Sequence, residues 1–254
     1  MILLPKDRRS LDDWQSFCAQ VQATTARNIF ETPGEQAVRK ALALKDYNFF
    51  TKTYFPVYAD ADCAYFHIDA AKAIIKDPNI FAALEWPREH AKSVHACIII
   101  PMWLMAHGEL DGMILISRTD TMASALLGDI QAQLQFNDLF ISDFGEQYNQ
   151  GDWATGDFTT KSGIRFLGLG RGQAPQGARK NEKRPNLGVA SDLDDYEIVN
   201  NIDRVKGVVE YIEGALIPAL SIKQSRFIVE GNRIHPRSIL AHLVGDIAQD
   251  VRKL

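Results

Sequence analysis

The stretch IFAALEWPREHAKSV, residues 80–94, contains the pattern that decides the fold. A short apolar run is followed by a charged turn, and a helical pattern begins at about Lys92. The same order recurs in GMILIS (112–117), in NLGVAS (186–191) and in RFIVEGN (226–232), each of which precedes a helical pattern. Short apolar runs that alternate with helices favour a parallel sheet flanked by helices. The sequence therefore predicts an α/β domain with a mainly parallel central sheet.

The first part of the chain is helical instead. From residue 11 to about residue 50 apolar side chains recur at helical spacing, with a break at Pro33 and Gly34. The segment AYFHIDAAKAII (64–75) predicts a further helix, and DFTTKSGIRFLGLG (157–170) predicts an inserted hairpin that turns at residues 161–163. We expect a helical N-terminal subdomain at residues 1–75 and an α/β core at residues 76–254.

The composition is that of an ordinary globular protein. The chain has 254 residues, of which 46% are hydrophobic and 24% charged. It contains no apolar run of about 18 residues, so no membrane span is expected. Its three cysteines are odd in number and lack metal-ligand spacing, which indicates reduced thiols in a cytoplasm. The net charge of -4 argues against uniform coating of nucleic acid. The basic run ARKNEKR (178–184) is either a solvated face or a track that contacts phosphates.

The turn WPREHAKSV (86–94) ends in the Lys-Ser pair of a phosphate-binding loop, although it contains no glycine. A strand, a short loop, Lys-Ser and a helix form the context that such a loop needs. The unpaired amides at the start of the helix suit a polyphosphate, Lys92 would neutralise the outer phosphates, and the Ser93 hydroxyl would ligate Mg²⁺. The alternative is a charged bend before a buried helix. The predicted nucleotide-binding residues are Pro87, Arg88, Glu89, His90, Ala91, Lys92 and Ser93.

Polar residues follow two other predicted strands. RPNLGVASDLDD (184–195) ends in carboxylates, and RFIVEGNRIHP (226–236) carries Asn232 just after its apolar run. Ligands of parallel sheets gather at the carboxyl ends of the strands, so these residues are expected to converge on the loop. Solvated helix caps and a plain turn are the alternatives. His67 and His90 lack partners at metal-ligand spacing and are interpreted as core or loop histidines.

These segments, in this order, resemble the ATPase domain of the large terminase subunit of tailed bacteriophages and prophages. WPREHAKSV is similar to the family's variant Walker A, Pro-Arg-Gly-x-x-Lys-Ser/Thr, in which an arginine lies four residues before the lysine, as Arg88 does. Residues 112–145 are similar to the stretch after the first helix, residues 164–187 to the glycine-rich segment before Walker B, and residues 227–243 to the coupling motif. The resemblance covers roughly residue 65 to the C-terminus.

The resemblance implies a three-layer P-loop NTPase of the RecA-like, additional-strand type, with ATP and Mg²⁺ as ligands. It would couple ATP hydrolysis to the movement of double-stranded DNA into a procapsid. In these terms Asp192 would bind Mg²⁺ with Ser93, Asp194 would be the catalytic base, Arg88 would contact phosphate, and Asn232 would sense the γ-phosphate. When RPNLGVASDLDD is aligned with the family's Walker B segment, Ser191 falls at the position of that segment's first acidic residue.

The resemblance also implies partners and a location. These are double-stranded DNA, the portal protein, the small terminase subunit and further copies in a ring on the capsid, in the cytoplasm of a bacterial host. We expect the free protein to be mostly monomeric, because a motor ring of this kind needs a template. In the family a nuclease domain normally follows, and no nuclease acid cluster is recognised before Leu254.

Two alternatives remain at the level of sequence. One is another DNA-translocating P-loop ATPase, which should bring a second RecA-like domain. The other is a non-catalytic docking or oligomerisation module with a degenerate nucleotide site.

Overall fold

The computed structural model describes residues 5–175, 183–246 and 251–253. The chain begins with helices, as predicted for residues 11–50 and 64–75. They are α1 (Pro5–Thr24), α2 (Pro33–Lys45), α3 (Tyr47–Tyr54) and α4 (Tyr65–Lys76). Pro33 opens α2 and does not interrupt a helix, because the N–H that proline lacks would have no partner in the first turn. Thr32 caps α2 through a capping box with Glu35.

Strands and helices alternate from residue 81 onward, as predicted. The elements are β1 (Phe81–Leu84), α5 (Lys92–Val94), α6 (Ile100–Ala106), β2 (Gly112–Ser117), α7 (Asp120–Phe136), α8 (Asp138–Phe144), β3 (Trp153–Ala154), β4 (Asp157–Thr159), β5 (Arg165–Gly170), β6 (Leu187–Ser191), α9 (Tyr196–Val199), α10 (Ile202–Tyr211), α11 (Ile217–Ala219), β7 (Arg226–Glu230), α12 (Ile239–Asp246) and β8 (Val251–Lys253). Two π-helical turns, His95–Ile99 and Ile212–Leu216, join α5 to α6 and α10 to α11.

The sheet is mixed but mostly parallel, with the order β3-β4-β5-β2-β6-β7-β1-β8. Every neighbouring pair from β5 to β8 is parallel, whereas β3 and β4 are antiparallel at one edge. The antiparallel pairing of β4 with β5 confirms the predicted hairpin. Because β1, β2, β6 and β7 are parallel, their carboxyl ends lie at one edge of the sheet.

Hydrophobic clusters cover both faces of the sheet. Leu187 and Val189 of β6 belong to a cluster with residues of α3, α4, α6 and α7. Ala190 of the same strand belongs to a second cluster, with residues of α9, α10 and α12. Successive side chains of a strand point to opposite faces, so helices flank the sheet on both sides. This arrangement is consistent with a three-layer α/β fold.

Three of the N-terminal helices, α2, α3 and α4, share the first of these cores. Phe50 of α3 is fully buried there, in aromatic contact with Trp103 of α6. The carboxylate of Asp143 in α8 accepts hydrogen bonds from Gln36 and Arg39 of α2 and from Tyr54 of α3. Burial raises the pKa of Asp143, but these hydrogen bonds outweigh it, so the net pKa lies below the ordinary value of the carboxyl group. The helices are thus fixed to the sheet domain by apolar packing and by one buried ionic cluster.

Proline accounts for both π-helical turns. Pro101 and Pro218 lie inside helical runs and have no N–H to donate to the carbonyls of Cys97 and Gly214, four residues earlier. The wider π turn contains that carbonyl in each case, His95–Ile99 for Cys97 and Ile212–Leu216 for Gly214. Local widening of this kind relieves the clash between the proline ring and the preceding turn.

Three further sequence predictions concern the cysteines, the basic run and membrane spans. Cys18, Cys63 and Cys97 are all free thiols, as predicted. Most of the basic run at 178–184 lies outside the described residues; of its described members, Lys183 pairs with Asp111 at 2.6 Å. Among the helices in the described ranges, none has both the length and the apolar character that a membrane crossing requires.

Gly188, the second residue of β6, generates a stability prediction. A Cβ on Gly188 would lie 2.8 Å from Cδ2 of Phe227 and 3.2 Å from Cδ1 of Leu220. Gly188→Ala is therefore expected to lower the free energy of unfolding by about 1–3 kcal/mol, because buried side chains must shift. Urea unfolding followed by circular dichroism measures the change.

Gly207 provides the matched control. It is exposed in α10, and a Cβ there would meet no atom within 4 Å. Gly207→Ala should raise the free energy of unfolding by up to about 1 kcal/mol, since alanine favours the helix. Equal effects of the two substitutions would contradict the packing assigned to Gly188.

Candidate functional site

A cavity of about 570 Å³ lies at the carboxyl edge of the sheet, between the loop after β1 and the ends of β2, β6 and β7. The predicted residues that line it are Arg88, Glu89, Ala91, Lys92, Ser93, Asp192, Asp194 and Asn232. Two predicted loop residues are absent from the lining, Pro87 and His90. The carbonyl of Pro87 accepts a hydrogen bond from Lys92, and the carbonyl of His90 bonds His67. The structure therefore brings together most of the residues predicted for a phosphate site.

The backbone around the cavity is strained at three places. Glu89, Ala91 and Asp192 have φ angles of 65°, 52° and 46°, and within the described ranges no other non-glycine residue has a positive φ. All three line the cavity. Each such residue costs about 1–3 kcal/mol, and strain of this kind clusters at ligand sites. Ala91 directly precedes Lys92, so the left-handed turn leads into the helix start, whose first N–H groups have no helical partner.

Lys92 lies under the loop with its ammonium group fixed. Its Nζ donates to the carbonyls of Trp86 at 2.7 Å and Pro87 at 3.1 Å, and to Oδ1 of Asn232 at 3.1 Å. Burial lowers the pKa of Lys92, while the nearby carboxylates of Glu230 and Asp192 oppose that shift. The lysine thus joins the loop to the end of β7.

Ser93 contacts a buried acid, Glu230, that lies at the end of β7. The Ser93 hydroxyl donates to Oε1 of Glu230 at 2.8 Å, and the hydroxyl of Ser191, at the end of β6, donates to the same oxygen at 2.5 Å. Glu230 is only 2% exposed. Burial raises the pKa of Glu230, the two serine hydroxyls lower it, Asp192 raises it and Lys92 lowers it. The net pKa is above the ordinary value of the carboxyl group.

Asp192 follows β6 and presents its carboxylate to the cavity. Its backbone N–H donates to the carbonyl of Glu230 at 3.0 Å, which fixes the two strand ends together. Its Oδ2 lies 3.3 Å from Nη2 of Arg118, which follows β2. The Nε of Arg118 is buried and has no hydrogen-bond partner within the described part of the chain. Arg118 and Asp192 are therefore a cation and an anion that both face the cavity.

Asp194, predicted as the catalytic base, has a different role in the structure. Its Oδ1 accepts the N–H of Ile239 at 2.6 Å, and its Oδ2 accepts the N–H of Leu240 at 3.1 Å. These are the first amides of α12, so Asp194 caps that helix. Burial raises the pKa of Asp194 and the two amides oppose that rise. A carboxylate with both oxygens bound to backbone amides is poorly placed to accept a proton from water.

Two stacked histidines lie beside the loop. His67 belongs to α4, and His95 is the first residue of the π-helical turn that follows α5. His67 accepts the N–H of Ala64 at Nδ1 and donates from Nε2 to the carbonyl of His90 at 3.0 Å. Its ring stacks on His95, with centroids 4.0 Å apart, and contacts Trp86 edge-on. Burial, with a contribution from His67, lowers the pKa of His95 to about 3, so that ring is neutral. The prediction that His67 and His90 are core or loop histidines agrees with these contacts.

The two stacked histidines also lie close to a cysteine. Cys63, His67 and His95 are the one set of possible metal ligands among the described residues, and their ligand atoms lie within 4.8 Å of one another. Both nitrogens of His67 already have hydrogen-bond partners, and Nδ1 of His95 bonds the hydroxyl of Tyr47 at 2.8 Å. No ring nitrogen of His67 is left to bind a metal. The group therefore fits a structural brace better than a metal centre.

Glu230 and Arg118 are the site residues that sequence reasoning missed. Glu230 is a charged residue at the end of the apolar run RFIVE, two positions before Asn232, and that position was the available signal. Arg118 directly follows GMILIS in the same way. Both lie at carboxyl ends of parallel strands, which is where ligands gather.

Comparison with models of known protein families finds no match, and comparison with curated proteins finds no significant match. The terminase resemblance therefore rests on the motifs and their order.

The capping role of Asp194 generates a prediction on stability. Asp194→Asn replaces one acceptor oxygen with an NH₂ group that faces a buried amide of α12. We expect the free energy of unfolding to fall by about 1–3 kcal/mol, the cost of an unsatisfied buried polar group. Urea unfolding measures this loss.

Asp192→Asn is the control, because Asp192 is nearby and carries the same side chain. Asparagine tolerates the left-handed backbone, and a partly exposed ion pair is worth about 0–1 kcal/mol. A loss for Asp192→Asn as large as that for Asp194→Asn would contradict the capping role.

Proposed function

We propose that this chain is a P-loop ATPase that hydrolyses Mg²⁺-bound ATP to move double-stranded DNA, as the packaging motors of tailed bacteriophages do. One observation carries the nucleotide part. Lys92, Ser93 and the strand-end carboxylates Asp192 and Glu230 line one cavity at the carboxyl edge of a parallel sheet. A lysine, a hydroxyl and an acid in this arrangement are the groups that P-loop enzymes use around phosphates.

The cationic part of the cavity suits a polyphosphate. Arg88, Lys92 and Arg118 line it, and the helix that begins at Lys92 directs its free amides toward the same space. Left-handed residues beside right-handed ones, as at Ala91 and Lys92, form concavities that bind anions. The loop thus achieves without glycine what a glycine-rich loop does by its composition. A volume of about 570 Å³ is in the range of small-ligand pockets, about 300–1,000 Å³.

The oxygen-rich part of the cavity suits a magnesium ion. Ser93 offers a hydroxyl, and the ends of β6 and β7 offer carboxylates, which are the hard ligands that Mg²⁺ prefers. Bound there with ATP, the ion would neutralise charge that develops on the phosphates. Asp194 and Asp195 are engaged elsewhere, in helix caps and with Arg171. That leaves Asp192 and Glu230 as the acids at strand ends that are available to the nucleotide.

In the proposed reaction, the oxygen of a water molecule forms a bond to the γ-phosphorus. The bond from that phosphorus to the β–γ bridging oxygen breaks, and ADP leaves with the electron pair. The proton of the water passes to a carboxylate. We assign this role to Asp192, because Asp194 is bound to the amides of α12 and Asp192 faces the cavity with 44% of its side chain exposed.

The topology supports the additional-strand type of P-loop fold. β7 lies between β1, which leads into the loop, and β6, which ends in Asp192. The inserted strand brings Asn232 to 3.1 Å from the ammonium of Lys92. This contact supports the proposal that Asn232 senses the γ-phosphate.

The DNA-packaging part of the proposal rests on the terminase resemblance. Among the described residues, the glycine-rich segment contains β5, and the coupling segment contains most of β7 and leads into α12. The partners proposed with it are double-stranded DNA, the portal protein, the small terminase subunit and further copies of the chain in a ring. The free protein is expected to be mostly monomeric, and sedimentation that shows a tight free ring would contradict this expectation.

A non-catalytic docking module is the second candidate. The observation that favours it is the loop itself, whose carbonyls already hold the ammonium of Lys92. Such a module would bind nucleotide weakly or without turnover, so hydrolysis measured with and without DNA separates the two functions.

Lys92 generates the central prediction. Lys92→Ala should lower ATP turnover by more than about a hundredfold, or about 2.7 kcal/mol, the scale of one strong transition-state contact. Because Lys92 is buried and bonds the loop, Lys92→Met, which retains the apolar stem, is measured beside it. Steady-state hydrolysis and nucleotide titration are the measurements, on proteins shown to be folded by circular dichroism.

Lys206→Ala is the control, because Lys206 is an exposed lysine of α10 outside the cavity. It should leave binding and turnover unchanged. Arg88→Ala should reduce turnover less than Lys92→Ala does, because Arg88 is exposed on the loop. Equal binding and turnover in the wild type and in both folded Lys92 variants would refute the nucleotide site.

A further inference from the structure

Ser191 and Glu230 occupy equivalent places on neighbouring strands. They are paired in register at the ends of β6 and β7, so their side chains point to the same face of the sheet. Leu187, Val189 and Ile228, which share that face, pack in the cluster that contains α6. The face is therefore the one covered by the helical run that starts at Lys92 and Ser93. Both strand ends lie beneath the proposed phosphate loop.

The terminase pattern expects an acid where this chain has Ser191, and the longer side chain of Glu230 reaches that place from the next strand. Its Oε1 accepts a hydrogen bond from Ser191 at 2.5 Å and another from Ser93 at 2.8 Å. The carboxylate thus lies between the end of β6 and the hydroxyl of the loop. An acid at residue 191 would direct its own carboxylate into the same space.

Among the described residues, no cation bonds the buried carboxylate of Glu230 directly. Burying an ionised carboxylate is costly unless it is paired or bound to a metal. Both serine donors bond Oε1, and within the described residues Oε2 accepts no hydrogen bond. Lys92 is nearby, but its ammonium donates to Trp86, Pro87 and Asn232. A divalent cation beside Ser93 would supply the missing charge.

Asp192 differs from Glu230 in each of these respects. It is half-exposed, it is paired with Arg118 at 3.3 Å, and its left-handed backbone turns it away from the line of β6. Asp192 therefore faces the cavity in an ion pair with Arg118, whereas Glu230 lies under the loop without a direct ion pair.

From these contacts we infer that Glu230, and not a residue of β6, is the acid that holds the magnesium ion with Ser93, which leaves Asp192 to accept the proton of water. The terminase pattern has this acid on β6, whereas in this chain the acid is on β7. This inference rests on the proposed nucleotide site and identifies its metal ligand.

The test measures how Mg²⁺ changes the affinity for a non-hydrolysable ATP analogue, by calorimetry with Mg²⁺ and with EDTA. In the wild type Mg²⁺ should tighten binding. In Glu230→Gln the affinity measured with Mg²⁺ should fall by at least about tenfold, on the scale of lost metal-site groups. The affinity with EDTA should stay equal or rise, because a negative charge has been removed. Binding of Mn²⁺ in the presence of ADP, followed by electron paramagnetic resonance, should weaken in parallel.

An exchange variant separates a metal ligand from a structural residue. Ser191→Asp combined with Glu230→Ser returns the acid to β6, and it should restore the effect of Mg²⁺ on binding. Asp192→Asn should keep that effect and lose turnover. Glu85→Gln, the same change at the end of β1 in a residue paired with Arg233 at 3.0 Å, should leave both unchanged.

The outcomes distinguish this inference from the function on which it rests. If the wild type binds no nucleotide, or if Lys92→Met binds as tightly as the wild type, the nucleotide site itself is wrong. If binding depends on Lys92 and on Mg²⁺ but folded Glu230→Gln responds to Mg²⁺ as the wild type does, only the role of Glu230 is overturned. Failure of the folded exchange variant to regain a response to Mg²⁺ would also overturn it.

Discussion

The buried carboxylate of Glu230 is the constraint around which the site is built. A carboxylate that is 2% exposed must find hydrogen bonds inside the protein, and it takes them from Ser93 of the loop and Ser191 of β6. These contacts join the loop to two strands that the chain supplies far apart in sequence. The backbone bond from Asp192 to the carbonyl of Glu230 fixes the same strand ends. Lys92, Asp192 and Asn232 all lie where β6, β7 and the helix start meet.

The loop compensates for its lack of glycine through its surroundings. Left-handed backbone at Glu89 and Ala91 costs about 1–2 kcal/mol per residue relative to glycine. Lys92 offsets part of this by bonding two loop carbonyls, and His67 does so by bonding a third from α4. Trp86, the first residue of the turn, is buried and packs edge-on against His67. Glycine-rich phosphate loops obtain their shape from composition, whereas this loop obtains its shape from packing.

The sequence could predict the features that depend on local pattern, but not those that depend on packing between distant segments. Apolar runs such as GMILIS between polar turns predicted the strands, and the tendency of parallel strand ends to converge predicted that the loop, Asp192 and Asn232 would meet. The order of strands along the chain does not determine their order in the sheet. Only the structure shows that β7 lies between β1 and β6. Asp194 bonds an amide 45 positions later, and no local pattern marks such a cap. Glu230 was missed because its carboxylate contacts Ser191 of the neighbouring strand β6, and the sequence does not show which strands are neighbours.

The hydrogen bond between Lys92 and Asn232 shows how such a site can act on the rest of the molecule. Lys92 has three acceptors, and two belong to the loop while the third is on the segment after β7. A polyphosphate in the proposed site would compete for the same ammonium, so part of its binding energy would be used to exchange these partners. Each hydrogen bond from this charged donor is worth about 1.5–3 kcal/mol, and loss of the bond to Asn232 would change the contacts of the segment between β7 and α12. That segment leads into the helix that Asp194 caps from the other side of the cavity. Binding of a nucleotide would therefore affect α12 through the side chain of Lys92, and the sheet would not have to move.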